Sequence, residues 1–172
     1  DVDAAVDGAM LAKMRNIGEA CTAANRFFVH ESLADEFSTK LAARMGALVV
    51  GKGTKKGVDV GPLITAKARE GVDELVKDAV GKGATVLTGG GPVPGRGFFY
   101  QPTILVDVRP EMRIVATETF GPTMPIMKVR GIEQAALFRS IDIARGFAGG
   151  EVAVELLRRG ETAPLIGDAG VP

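Results

Sequence analysis

The sequence has few of the residues that metal sites, disulfide frameworks and charged binding surfaces require. Its 172 residues include one Cys and one His, which excludes a network of internal disulfides and any zinc site rich in Cys. Its 21 Lys and Arg balance 21 Asp and Glu, so it lacks the surplus of positive charge that neutralises nucleic-acid phosphates. Neither a metal nor a nucleic acid is therefore expected as a partner.

The sequence also contains no apolar run that approaches the ~20 residues of a membrane-spanning helix. Its first seven residues are acidic, whereas the start of a signal peptide is basic. A lone thiol is typical of the reducing cytoplasm. We therefore expect a soluble, cytoplasmic protein with no membrane partner. Because the chain begins without Met and inside a predicted helix, we expect it to be a piece of a longer protein.

Helices alternate with short apolar strands along most of the sequence. The alternation predicts a layered α/β domain with a largely parallel sheet. The predicted helices and strands are the following: helices over 3–14, 32–48 and 65–80, and strands over 26–29, 84–88, 103–108 and 125–129. After position 129 the pattern loosens, with weaker helical signals over 131–145 and 151–159. We treat 130–172 as a divergent C-terminal segment.

Local signals mark the ends of the predicted helices. The first helix has apolar residues at helical spacing and should break at 16–18. Ser32 followed by Asp35 resembles a capping box at the start of the second helix. Thr65 is placed to cap the third helix.

Cys21 is the strongest candidate for a catalytic residue, because a thiolate is the strongest ordinary nucleophile that a protein offers. A lone Cys is more often inert packing in a core, so the residue type alone does not decide its role. His30 would permit a hydrolase with a Cys–His pair. However, it lies at the far end of the predicted strand that follows Cys21, which should carry it away from the sulfur.

Two motifs favour a catalytic Cys21. Residues 14–21, Met-Arg-Asn-Ile-Gly-Glu-Ala-Cys, are followed by Asn25-Arg26 and an apolar strand; this segment resembles the active-site cysteine signature of the aldehyde dehydrogenase superfamily, with Glu19 where Gln is usual. Residues 118–122, Glu-Thr-Phe-Gly-Pro, resemble the family's Glu-x-Phe-Gly-Pro motif. Segments between the two follow in the family's order, at 60–64, 83–84, 89–90 and 99–105. The resemblance covers 1–129, which we expect to be part of a catalytic domain.

The resemblance implies the oxidation of an aldehyde to a carboxylic acid with NAD or NADP. Cys21 would attack the aldehyde carbon to give a thiohemiacetal, hydride would pass to the nicotinamide, and water would release the acid from a thioester. The backbone N–H of Cys21 would donate to the oxyanion. Glu118 would bind the nicotinamide ribose, and Phe120 would contact the nicotinamide.

Arg15 indicates the class of aldehyde. Most members of the superfamily carry an aromatic residue six positions before the cysteine, whereas the succinate-semialdehyde dehydrogenases carry Arg, as this sequence does. A guanidinium there can hold the far carboxylate of succinate semialdehyde as a bidentate ion pair. Outside this motif, an exposed Arg at the end of a helix would be the simpler interpretation.

Other parts of the family's machinery are not recognisable in the sequence. It has no Gly-rich phosphate loop after a strand, and it lacks the Glu-Leu-Gly-Gly motif that carries the family's general base. We therefore expect the isolated chain to be inactive. Because a divergent end at 130–172 would leave sheet edges and apolar faces uncovered, we also expect the chain to associate with itself or with a complementing half. The alternative is a non-catalytic interaction or remnant protein that retains the fold. Its Cys21 would be protected from alkylation, whereas an active-site Cys21 would react faster than a free thiol.

Overall fold

A computed structural model describes residues 1–131, 133–135 and 152–154. Within these ranges the elements run in the order α1 (Val2–Met14), β1 (Phe27–His30), α2 (Glu31–Gly46), α3 (Ala66–Gly81), β2 (Thr85–Thr88), β3 (Thr103–Val106), α4 (Arg113–Ala116), β4 (Thr123–Val129) and β5 (Val152–Val154). A 3-10 turn at Arg15–Gly18 follows α1. No helix in the described ranges is long and apolar enough to cross a membrane, and no cluster of three or more His, Cys, Asp or Glu there could hold a metal ion.

The strands form one sheet in the order β2-β3-β4-β1-β5. β4 pairs in parallel with both β1 and β3, and β5 pairs in parallel with β1. β2 runs antiparallel to β3 at one edge of the sheet. The predicted layered α/β fold with a largely parallel sheet is therefore confirmed.

The segment after position 129 is described only in part. The predicted helix over 151–159 is wrong at Val152–Val154, which instead pair with Phe27–Val29 of β1. The two valines are β-branched and fit a sheet better than a helix. Only 131 and 133–135 of the predicted helix over 131–145 are described, and 133–135 are helical. The remainder of both predicted helices lies outside the described residues.

Helices pack on both faces of the sheet, because the apolar side chains of the strands alternate between the faces. Phe27 of β1 lies in a core cluster with Phe37 of α2 and Val6 of α1. The neighbouring Phe28 lies in a second cluster with Val76 of α3. The sheet is thus covered by α1 and α2 on one face and by α3 on the other.

The N-terminal caps of α2 and α3 differ in how well the sequence predicts them. Thr65 caps α3 as predicted, since its side-chain oxygen accepts from the Ala68 N–H at 3.0 Å. The capping box of Ser32 and Asp35 is wrong: α2 begins at Glu31, and the His30 Nδ1 accepts from the Ser32 N–H at 3.2 Å. The imidazole accepts this bond because His30 is the residue that directly precedes the helix. His30 therefore closes β1 and starts α2.

The parallel pairing of β1 with β4 brings together the two loops that precede these strands. Phe27 is the register partner of Ile126. Cys21 lies six residues before Phe27, and Phe120 lies six residues before Ile126. Because neighbouring parallel strands begin at the same edge of a sheet, both loops leave the sheet at that edge. The two motifs found in the sequence are adjacent for this reason.

The two loops touch through two glycines. The Gly121 N–H donates to the Gly18 carbonyl oxygen at 3.2 Å. A Cβ on Gly18 would collide with the Gly121 carbonyl oxygen and would lie 2.9 Å from the Lys13 Cε. Gly18 also has φ +81°, a backbone conformation that residues with a side chain disfavour. The close approach of the loops therefore requires glycine at this position.

We expect Gly18→Ala to destabilise the chain far more than Gly57→Ala. Gly57 has a nearly identical φ of +79°, but a Cβ there would meet no atom within 4 Å beyond its chain neighbours. Gly57→Ala should therefore lower the free energy of unfolding by about 1 kcal/mol, the cost of the left-handed conformation alone. Gly18→Ala should cost about 3 kcal/mol or more, because it adds a backbone collision. Urea unfolding followed by circular dichroism measures both, and equal losses would contradict the tight contact.

Candidate active site

The chain turns sharply between Arg15 and Cys21. Asn16 and Ile17 both adopt the left-handed conformation, with φ of 48° and 53°, which is uncommon for Asn and strained for a β-branched residue. The Asn16 Nδ2 donates to the Glu19 carbonyl oxygen at 2.9 Å, and the Glu19 N–H donates to the Asn16 carbonyl oxygen at 2.9 Å. These two bonds close the turn. The predicted break of the first helix at 16–18 is confirmed.

Cys21 occupies the corner of a second turn. The Ala23 N–H donates to the Ala20 carbonyl oxygen at 2.9 Å, and the Ala24 N–H donates to the Ala12 carbonyl oxygen of α1 at 3.1 Å. Cys21 is exposed, whereas the residues that follow it from 23 to 29 are buried. The thiol is thus presented to solvent by a loop whose far end is fastened to α1, and it is not part of the core packing.

An open groove of about 490 Å³ lies beside this loop. Its lining residues are Met10, Leu11, Ala12, Met14, Arg15 and Thr22. The fully buried stripe of α1 is formed by Val6, Ala9 and Lys13. Met10 and Met14 are partly buried: they line the groove and also pack against the core cluster that contains Phe27. The groove combines an apolar wall with a guanidinium and reaches Thr22, the neighbour of Cys21. Such a lining suits a short aliphatic molecule that carries a negative charge.

Glu118 and Phe120 are exposed on either side of the buried Thr119. Phe120 is 41% exposed, which is unusual for a large apolar residue. An exposed carboxylate can accept hydrogen bonds from the hydroxyls of a ribose, and an exposed ring can pack against a flat heteroaromatic ring. Their exposure leaves both residues accessible for the roles that the resemblance implies, Glu118 at the nicotinamide ribose and Phe120 at the nicotinamide, and these roles stay predictions.

Side chains from the cysteine segment hold the backbone of Thr119. The Lys13 Nζ donates to the Thr119 carbonyl oxygen at 3.4 Å, and the Thr119 N–H donates to the Asn25 Oδ1 at 2.8 Å. A third contact lies four residues upstream, where the Arg26 Nη1 donates to the Val115 carbonyl oxygen at 2.6 Å. Lys13, Asn25 and Arg26 are all buried. The loop that carries Glu118 and Phe120 is therefore held by the segment that carries Cys21.

These three anchors had no role among the expectations from sequence. Asn25 and Arg26 accompany the cysteine motif in the sequence, and no pattern there predicts their hydrogen bonds. A signal for Lys13 was present, because it continues the helical spacing of Val6 and Ala9 and so lies on the buried stripe of α1. Buried lysines are rare, so this placement is itself an indication of a specific role.

Glu19 links the cysteine loop to a third segment. Its Oε1 accepts from the Ile64 N–H at 3.2 Å, within the 60–64 stretch that precedes α3. A glutamine carbonyl would accept the same bond, so the replacement of the usual Gln by Glu preserves the contact. Within the same stretch, the Leu63 N–H donates to the Phe98 carbonyl oxygen at 3.0 Å. The cysteine loop is thereby tied to the face of the sheet that α3 covers.

Among the titratable groups near the site, Lys13 has the pKa that departs most from its ordinary value. Burial lowers the pKa of its ammonium to about 7, although the negative charge of Glu118 opposes the shift. An unfolded Lys has a pKa near 10.4, so between about pH 7 and pH 10.4 the unfolded chain binds a proton that the folded chain releases. The stabilising effect of this group is complete above pH 10.4 and is lost as the pH falls to 7.

We expect the chain to become more stable as the pH rises from 7 to 9. One proton bound only by the unfolded state gives a slope of about 1.4 kcal/mol per pH unit in the free energy of unfolding. Lys13→Met keeps most of the apolar stem and should remove this slope. Urea unfolding at several pH values measures it. Lys40→Met is the control, since Lys40 pairs with Asp3 at 2.8 Å on the surface, and a slope that survives in Lys13→Met would contradict the assignment.

Comparison with known proteins identifies the family of this chain. The chain matches the aldehyde dehydrogenase family over residues 1–140. It is 57% identical over 126 residues to the succinate-semialdehyde dehydrogenase of Paenarthrobacter nicotinovorans, covering 73% of this chain and 28% of that protein. It is 43% identical over 158 residues to a glutarate-semialdehyde dehydrogenase of Pseudomonas aeruginosa, covering 92% of this chain and 32% of the relative.

Solved structures give the same result for the fold. The crystal structure of succinate-semialdehyde dehydrogenase from Burkholderia pseudomallei superposes with a TM-score of 0.79 at 36% identity, over 97% of this chain and 39% of that chain. The chain thus spans about a third of the length of the curated relatives described above. The family match extends over most of the chain and includes both site motifs. The chain belongs to the aldehyde dehydrogenase family.

Proposed function

We propose that this chain supplies the nucleophile, the substrate-binding guanidinium and part of the dinucleotide site of an enzyme that oxidises short semialdehydes. The observation that carries the proposal is the groove in which Arg15 and Thr22, the neighbour of Cys21, line the same space with apolar residues of α1. The relatives named for succinate semialdehyde and glutarate semialdehyde support this class of substrate. Both molecules carry a carboxylate at the end opposite the aldehyde.

Cys21 performs the covalent chemistry. Its sulfur forms a bond to the aldehyde carbon, and the carbonyl π electrons move to the oxygen, which the backbone N–H of Cys21 stabilises. Glu118 and Phe120 would hold the nicotinamide end of NAD or NADP, which when bound would supply the acceptor for the hydride lost from this carbon, with one proton released to solvent. The product at Cys21 is then a thioester, and attack by water releases the carboxylic acid and returns the thiol. The exposure of Cys21 leaves its sulfur accessible for the first step.

Arg15 selects the substrate by charge. The apolar lining of the groove accepts the methylene chain, while the guanidinium pairs with the far carboxylate. A hydrogen-bonded ion pair with a carboxylate contributes about 1.5–3 kcal/mol when water is partly excluded. A neutral aldehyde of the same length forms no such pair, so this contact gives discrimination as well as affinity.

The reaction also needs a general base and a platform for the rest of the dinucleotide. The sequence does not contain the Glu-Leu-Gly-Gly motif that the resemblance assigns to the base. We therefore assign these roles to the residues of this chain within an enzyme that combines them with that motif, either in one polypeptide or by association with a complementing half. The isolated chain is proposed to be inactive.

The test replaces the matching 126 residues of the Paenarthrobacter enzyme with those of this chain. We expect the resulting enzyme to oxidise succinate semialdehyde and to lose activity on Cys21→Ala. Arg15→Ala should lower kcat/KM for succinate semialdehyde about 10- to 100-fold, the equivalent of the lost ion pair. Butanal, a neutral aldehyde with the same number of carbons, should lose no more than about twofold. The reduction of NAD or NADP at 340 nm measures both.

Arg44→Ala is the matched control for the loss of a guanidinium. Arg44 is exposed and pairs with Asp7 at 2.6 Å between α1 and α2, away from the groove that Arg15 lines. Its replacement should leave both substrates unaffected. Equal losses for succinate semialdehyde and butanal on Arg15→Ala would refute the substrate assignment, and an enzyme inactive toward every aldehyde would refute the proposed function.

A further inference from the structure

The two residues proposed to contact the dinucleotide flank a residue whose backbone is fixed on both sides. The Thr119 N–H belongs to the peptide group that joins it to Glu118, and its carbonyl belongs to the peptide group that joins it to Phe120. Asn25 holds the first group at 2.8 Å and Lys13 holds the second at 3.4 Å. Because each peptide group is planar, fixing both of them fixes the positions from which the Glu118 and Phe120 side chains project.

Both anchors are buried and come from opposite ends of the cysteine segment. Lys13 is in the last turn of α1, before Cys21, and Asn25 follows Cys21 just before β1. Neither residue is more than 3% exposed. A buried polar group that loses its partner is costly, so the folded chain strongly favours the arrangement in which both bonds are made. The loop that carries Glu118 and Phe120 and the loop that carries Cys21 therefore keep a fixed separation.

The bond from Lys13 does not depend on its charge. An amine and an ammonium both donate hydrogen to a carbonyl oxygen, so the tether persists across the pH range in which Lys13 titrates. Its stem is also confined, since it passes close beneath Gly18, where a Cβ would lie 2.9 Å from the Lys13 Cε. Lys13 thus contacts the cysteine loop along its stem and the Thr119 carbonyl with its tip.

We propose that Lys13 and Asn25 are positioning residues for the dinucleotide, holding the backbone around Thr119 so that Glu118 and Phe120 face the cofactor at a set distance from Cys21. The inference rests on the proposed function, because it takes the cofactor roles of Glu118 and Phe120 from there. The cysteine segment thus determines the affinity for the cofactor through two side chains that contact neither cofactor nor substrate.

The test uses the same full-length enzyme that carries the 126 residues of this chain. Lys13→Met removes the amine and keeps most of the stem, and Asn25→Leu removes the acceptor at similar volume. Asn25→Asp keeps an oxygen acceptor for the Thr119 N–H. Lys40→Met is the control for the loss of an amine, since Lys40 lies on the surface of α2 with Glu36 at 2.9 Å. Titration calorimetry with NAD and with NADP gives the dissociation constants without turnover.

We expect Lys13→Met and Asn25→Leu each to raise the dinucleotide dissociation constant about fivefold or more, as the loss of a buried hydrogen bond implies. Asn25→Asp and Lys40→Met should stay within about twofold of the parent. The KM for succinate semialdehyde and the rate at which iodoacetamide alkylates Cys21 without cofactor should also change less than about twofold. A merely structural role would instead lower the folded fraction and leave the dissociation constant of the folded enzyme unchanged.

Three results would overturn the inference. The first is an unchanged dinucleotide dissociation constant in folded Lys13→Met and Asn25→Leu. The second is a loss in Asn25→Asp as large as in Asn25→Leu, and the third is a parent enzyme that binds neither dinucleotide. If Lys13→Met does not fold, the Asn25 pair decides. A parent that binds dinucleotide but oxidises no semialdehyde would refute the proposed function alone, since the binding measurements still decide the inference.

Discussion

The parallel pairing of β1 with β4 is the constraint on which the candidate site depends. Phe27 pairs with Ile126 in this register. Cys21 lies six residues before Phe27, and Phe120 lies six residues before Ile126. A shift by one residue would turn the side chains of a strand toward the opposite face. The two core clusters on either side of the sheet prevent such a shift, because Phe27 and Phe28 belong to different clusters. The hydrophobic core thereby sets the distance between Cys21 and the loop that carries Glu118 and Phe120.

Polar contacts then refine what the sheet places only approximately. The backbone around Thr119 has no strand of its own to pair with, so its hydrogen bonds must come from elsewhere. Lys13, Asn25 and Arg26 provide them from the cysteine segment. Burying the Lys13 amine opposes folding at neutral pH, as its lowered pKa of about 7 indicates. A residue retained against this cost is better explained by the contact that it makes than by the packing of its stem alone.

The sequence predicted the elements from α1 to β3 and β4, but it missed the short α4 and predicted a helix where β5 lies. The exposed site residues that it indicated stay predictions, and it did not indicate how they are held. Strand and helix patterns identified β1, β4 and α3, and two short motifs identified Cys21 and Glu118. The anchors escaped because their partners are backbone atoms about 90 to 105 residues away, and no local pattern encodes such a distance. The predicted cap of α2 is wrong for a similar reason. Ser32 has the residue type of an N-cap, but the backbone at the end of β1 places His30 in the capping position.

The strained turn after α1 explains how Arg15 and Thr22, the neighbour of Cys21, come to line one groove. A continuous helix would keep Arg15 and Thr22 on nearly the same face, about two turns apart and separated by ~10 Å along its axis. The left-handed Asn16 and Ile17 end the helix and turn the chain back, so that both residues line the same groove. Left-handed conformations cost of order 1–3 kcal/mol each and persist where the surroundings enforce them. Here the bonds between Asn16 and Glu19 and the contact of Gly18 with Gly121 do so, which places the backbone strain between Arg15 and Cys21.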